Sequence, residues 1–176
     1  MFSRFLSAAF VAALCATGMA SAQQATPVPD VKPDFSSFQF MLGTWNCKTL
    51  KNDMGRGAGR TETDVYSMSL DGHYIKNKST SKAFDAARTR TLDSEGWMSW
   101  DKAKKHWYSF GISNFGGFGM STTPGWVGNK IVWTDVYATD GGTLGVTYTT
   151  KVSATKITDV NVTGGHKTSD VCIKAS

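Results

Sequence analysis

From residue 44 onward the chain repeats one pattern. Short alternating runs rich in Thr, Val, Tyr, Trp and Phe are broken by Gly- or Asp-containing turns. Period-two alternation with a turn signal roughly every eight to twelve residues is the signature of an all-β domain built from hairpins. The expected strands cover 44–50, 61–70, 73–82, 96–100, 106–111, 116–122, 125–127, 131–137, 144–151, 157–163 and 168–174, with 89–92 as a further short piece. Turns fall at Asp71-Gly72, 101–105, 123–125, Gly128-Asn129, 140–142, 153–156 and Gly164-Gly165. Asp71-Gly72 has the composition of a two-residue type I′ turn, which needs positive φ at both central positions. Short connections throughout favour an up-and-down antiparallel β-barrel of about 8–10 strands. A two-sheet sandwich is the competitor, but its Greek-key crossovers require longer connections.

Ahead of the strands the chain changes character twice. Residues 1–22 combine Arg4, an apolar run from Phe5 to Ala20 and the small-x-small sequence Ala20-Ser21-Ala22, the pattern of a cleaved secretory signal peptide. The run is too short and interrupted for a membrane span of about 20 residues, and no later stretch reads as a transmembrane helix. Leu14 before Cys15 is too bulky for a lipoprotein cleavage site. Residues 23–33, with Pro27, Pro29 and Pro33, form an extended linker. The domain is then 34–176. It opens on a short helical turn capped by Asp34, with Phe35, Phe38 and Leu42 on one face, expected to plug one end of the barrel. Export places the protein in the periplasm or outside the cell.

Of the three cysteines, Cys15 leaves with the leader. Cys47 and Cys172 remain at opposite ends of the domain, and in an oxidising compartment such a pair is expected to bond. Barrel closure brings first and last strands together, which is where a bridge between them can form. The formal charge of +5 is scattered rather than gathered on a stripe or a helix, so nucleic acid is not an expected partner. The spread charge reads as a solvated surface.

The stretch Phe38-Gln39-Phe40-Met41-Leu42-Gly43-Thr44-Trp45 has a glycine and a tryptophan after a helical turn. It resembles the opening signature of the calycins, the β-barrel group that includes lipocalins and fatty-acid binding proteins. The wider likeness is to exported bacterial calycin-type proteins, mostly uncharacterised, and includes the segment Gly96-Trp97-Met98-Ser99-Trp100-Asp101 through His106-Trp107-Tyr108. It spans most of 38–174 and implies a barrel with an internal cavity. The haem-binding nitrobindins share this outline and hold iron by a histidine near the C-terminus, which would correspond to His166. Its setting, Gly164-Gly165-His166-Lys167, reads as a turn.

Trp97, Trp100, Trp107, Tyr108, Phe110 and Phe118 form a dense aromatic cluster and are the candidate ligand-binding residues, suited to a hydrophobic or planar molecule. Part of the set must face outward, because alternation puts neighbours on opposite faces. No histidine sits in metal-ligand spacing; His166, by resemblance, or His106, by its aromatic surroundings, is the candidate if haem binds. There is no Gly-x-Ser-x-Gly elbow and no assembled acid–base set, so the sequence assigns no catalytic residue. The Gly116-Gly117-Phe118-Gly119 run lacks the Lys-Ser/Thr ending of a phosphate loop and reads as a flexible loop or strand bend. The leading reading is an exported β-barrel that binds a small apolar or amphipathic molecule. A haem protein and a non-catalytic envelope interaction protein are the alternatives.

Overall fold

The computed structural model describes residues 30–53, 59–82, 91–139 and 143–176. The leader at 1–22, most of the linker at 23–33 and the segments 54–58, 83–90 and 140–142, which hold part of the expected 89–92 piece and one of the turns, lie outside the described residues.

Ten strands follow in order: β1 (Gly43–Asn52), β2 (Thr61–Ser69), β3 (Tyr74–Ser81), β4 (Leu92–Asp101), β5 (His106–Ser113), β6 (Phe118–Thr123), β7 (Lys130–Ala138), β8 (Gly145–Ser153), β9 (Lys156–Thr163) and β10 (His166–Lys174). Each pairs antiparallel with the next, and β10 pairs with β1, so the sheet closes into an up-and-down barrel. Closure leaves no unpaired strand edge. The expected strand at 125–127 is reduced to an isolated bridge between Val127 and Lys130, and the expected 96–100 segment extends back to Leu92.

The hairpins show which local signals held. Between β9 and β10, Gly164 (φ 58°) and Gly165 (φ 79°) form the two-residue turn that their sequence demands. At Asp71-Gly72 the connection is longer than two residues. Leu70, Asp71 and Gly72 all take positive φ (49°, 54° and 86°), and β3 begins only at Tyr74. Leucine is uncommon in that region because its Cβ crowds the carbonyl, but Leu70 stays exposed there.

Register fixes which residues face inward. Trp45, Cys47 and Thr49 alternate as the buried set of β1. Opposite them on β10, Cys47 pairs with Cys172 and the two are joined by a disulfide. The bridge spans 125 residues, for which the chain-entropy model gives about 4–5 kcal/mol.

At the end where β1 begins, the interior is apolar. A 3-10 segment, Ser36–Met41, precedes β1, with Phe35 and Leu42 just outside it. Asp34 Oδ1 accepts from the Ser36 amide at 2.9 Å. Phe38 is buried and packs edge-on against Trp107, ring centres 4.7 Å apart, while Phe35 lies 5.2 Å from the same ring. Ile75, Met98 and Ile131 complete this cluster. Gly43 enters β1 at φ 112°, a conformation that any Cβ would oppose. Two residues on, Trp45 is 1% exposed, and its indole N–H donates to the Met41 carbonyl at 2.7 Å. Lys174 Nζ donates to the Phe40 carbonyl at 2.8 Å and lies 5.6 Å from the Trp45 ring centre, tying the last strand to the first.

Candidate ligand cavity in the barrel interior

Beyond the apolar end the interior does not fill. A cavity of about 550 Å³ lies among β2 to β8. Its apolar wall includes Met41, Ile75, Met98 and Trp133. The space exists because facing positions are small: Gly96 pairs with Gly111, which pairs with Gly119, so three neighbouring strands contribute no side chain there. Ser94, Ser109, Ser113 and Ser121 continue the same inward rows. Asn77 also lines the cavity, and its side chain hydrogen-bonds toward the Asp64 carboxyl.

The wall on the β1–β2–β9–β10 side is acidic. Glu62, Asp64, Asp159 and Asp170 surround a smaller space of about 90 Å³, joined by Thr49 and Arg60. Thr49 Oγ1 donates to Asp170 at 2.6 Å and Ser79 Oγ to Glu62 at 2.6 Å; Thr149 donates to Asp159, and Arg60 pairs with Glu62 at 3.2 Å. Burial pushes the Asp64 carboxyl up to about 6, with the Glu62 charge adding to the effect. Asp159 is likewise pushed up to about 6, by burial and then by the Asp170 charge, against the opposing Thr149 hydrogen bond. Tyr66, between this patch and the larger cavity, is raised well above the usual phenol value by burial and then by Asp64. Among the described residues, Cys47, Asp64 and Cys172 bring potential ligand atoms within 4.8 Å of one another. The two sulfurs are bonded to each other and offer no thiolate to a metal.

The aromatic cluster divides by face. Trp107 and Trp100 point inward and meet at 5.4 Å in the apolar end, where they act as core. Trp97, Tyr108, Phe110 and Phe118 occupy the alternate, outward rows. Trp97 stacks on Phe110 at 5.4 Å with Lys76 Nζ 5.2 Å from its ring centre, Tyr108 lies 6.5 Å from Phe110, and Phe118 contacts Tyr137, which is 49% exposed. Trp97, Phe110 and Phe118 still border the cavity, at positions flanking its glycines.

Neither histidine candidate reaches the interior. His106 stands opposite Asp101 on the outward row of β5, and His166 is exposed at the start of β10. Neither lines the cavity of about 550 Å³; His106 borders a separate groove with Trp100, Tyr108 and Met120. Sequence reasoning passed over Glu62, Asp159 and Asp170. The available signal was parity: Glu62 and Asp64 share the alternation of Tyr66, and Asp170 that of Cys172.

No family model matches the chain, and no significant match is found among curated proteins.

Proposed function

We propose that this protein is an exported binding protein, periplasmic or secreted, whose barrel holds a small amphipathic molecule. One observation carries the reading: the cavity of about 550 Å³ with an apolar wall and a polar one. That volume falls within the roughly 300–1,000 Å³ range of small-molecule sites. The leader-like pattern at 1–22 and the Cys47–Cys172 bridge support export into an oxidising compartment. In this reading the calycin-like segment at 38–45 serves stability. Phe38 on the 3-10 turn and Phe35 just before it plug the end of the barrel, and ligand enters from the other end. The aromatic set contributes Trp97, Phe110 and Phe118 to the cavity border, while Trp100 and Trp107 hold the floor.

The test is native mass spectrometry of the protein purified from its exporting cell, paired with Gly119→Leu. Gly119 has no positive φ, and an added Cβ would lie 3.7 Å from its nearest neighbour, so the larger side chain grows into the cavity without forcing the backbone. A co-purifying mass that disappears in the variant is the expected result. A folded wild-type protein that carries nothing and binds no amphiphile removes the proposal.

A further inference from the structure

The larger cavity and the acidic space have no lining residue in common, but they adjoin along the strands. Tyr66 lines the cavity, and Asp64 is the next inward residue of β2, about 6–7 Å along the strand. On the opposite side Thr147 lines the cavity and pairs with Asn161, whose inward neighbour on β9 is Asp159. An elongated molecule resting on Met98 and Trp133 therefore has its far end within reach of these carboxylates.

The charges there do not balance. Glu62, Asp64, Asp159 and Asp170 face one another, and Arg60, on Glu62, is the cation placed beside them among the described residues. Lys151 and Lys174 turn to the other end, where Lys151 Nζ sits 4.2 Å from the Phe40 ring centre and Lys174 bonds the Phe40 carbonyl. Ser81 pairs with Glu62 across β2–β3, is 1% exposed and has no partner for its hydroxyl.

We infer that the cavity selects amphipathic molecules with a protonated amine head and rejects those ending in carboxylate, sulfonate or phosphate. The inference rests on the binding role proposed above and names the ligand class for the same site. An ammonium head would supply the positive charge that the four acids lack, and its donors would meet the carboxylates of Asp64 and Asp159. An anionic head would meet like charge in a poorly solvated space, which costs several kcal/mol in comparable juxtapositions. Rejection by repulsion is as much a part of specificity as attraction. The raised proton affinities of Asp64 and Asp159 agree, since they report carboxylates without enough nearby positive charge.

The experiment holds the apolar body constant and changes the head. Decylamine, decanol and decanoate are titrated by calorimetry at pH 7.5 into the wild-type protein and into Asp64→Asn/Asp159→Asn. Decylamine is expected to bind at least about tenfold tighter than decanol, and decanoate at least about tenfold weaker, each step being a factor that one well-placed charge supplies. The double variant should bring decylamine and decanol to about equal affinity. Equal binding of the three heads, or a preference for decanoate, overturns the inference and leaves the binding role standing. A variant that loses decanol affinity in the same proportion also overturns it, because the acids would then only shape the wall. Failure of all three to bind removes both.

Discussion

The two halves of the barrel interior are built on opposite terms. Where β1 begins, large rings interlock: Trp45, Phe38, Trp107 and Ile131 leave almost no accessible surface, and the Trp45 indole N–H is bonded to Met41, although that of Trp126 beside Phe38 has no partner. In the other half the inward rows carry Gly, Ser, Thr, Asn and acids, space remains, and the Ser81 hydroxyl is unmatched. The same strands run through both. Close packing supplies stability in one half, and the other gives some of it up to keep room and charge available. Sites of function are commonly where such local rules are broken.

Three experiments test that contrast. The largest effect is expected from Trp45→Ala, which empties the packed half. Loss of a buried tryptophan costs about 3–5 kcal/mol, read as a fall in the urea midpoint at unchanged slope; a loss below 1 kcal/mol would mean that stability does not concentrate there. The second acts on the acidic half. Asp64 and Asp159 hold protons up to about pH 6 when folded, against about 4 in the unfolded chain. Their contribution to stability is therefore full below about pH 4 and is lost as pH rises through 6. Exposed Asp34, Glu95 and Asp101, all shifted downward, act in the opposite sense, so whole-protein profiles mix the two. Subtracting the profile of Asp159→Asn isolates the buried term. The variant should gain about 2–3 kcal/mol on wild type between pH 4 and pH 7, and a difference that does not change with pH would refute the assignment.

The smallest effect separates two kinds of glycine. A Cβ on Gly145 would lie 2.2 Å from Thr163 Oγ1 and 2.9 Å from the Val162 carbonyl, so Gly145→Ala must push β8 from β9, at about 1–3 kcal/mol. Gly119→Ala meets nothing closer than 3.7 Å and should change stability little. Thermal melts of the two variants side by side decide it. Equal losses would mean that Gly119 is held by packing rather than by the need for space.

The barrel was legible because alternation and turn chemistry are local. Gly164-Gly165, the run of Thr49, Cys47 and Trp45, and the two domain cysteines each pointed to the arrangement found. The site was less legible because a polar-out, apolar-in reading of alternation fails in its half. Trp97 and Phe110 drew attention as aromatic density, yet the register turns them toward solvent beside Lys76 and Glu95. Asp64 and Asp159, which resemble any solvated strand residue in sequence, lie inside. Parity alone does not say which of two alternating sets is buried; that needs Cys47 facing Cys172 and Ile75 facing Met98. The longer turn after Ser69 was missed for a related reason, since the composition of Asp71-Gly72 does not reveal that Leu70 joins it at positive φ.

The Cys47–Cys172 bond also determines how the molecule carries mechanical load. Tension applied at the two ends of the domain passes through the short stretches outside the bridge and then directly across the sulfur–sulfur link. Between them the chain is a covalent ring, and force from the termini bypasses nearly the whole of it. The strands that enclose the cavity bear no share of the pull while the bond is intact. Once it is reduced, the same tension peels β1 from β10 pair by pair, starting at Trp45 and Lys174, and the barrel opens along the seam where its first and last strands meet.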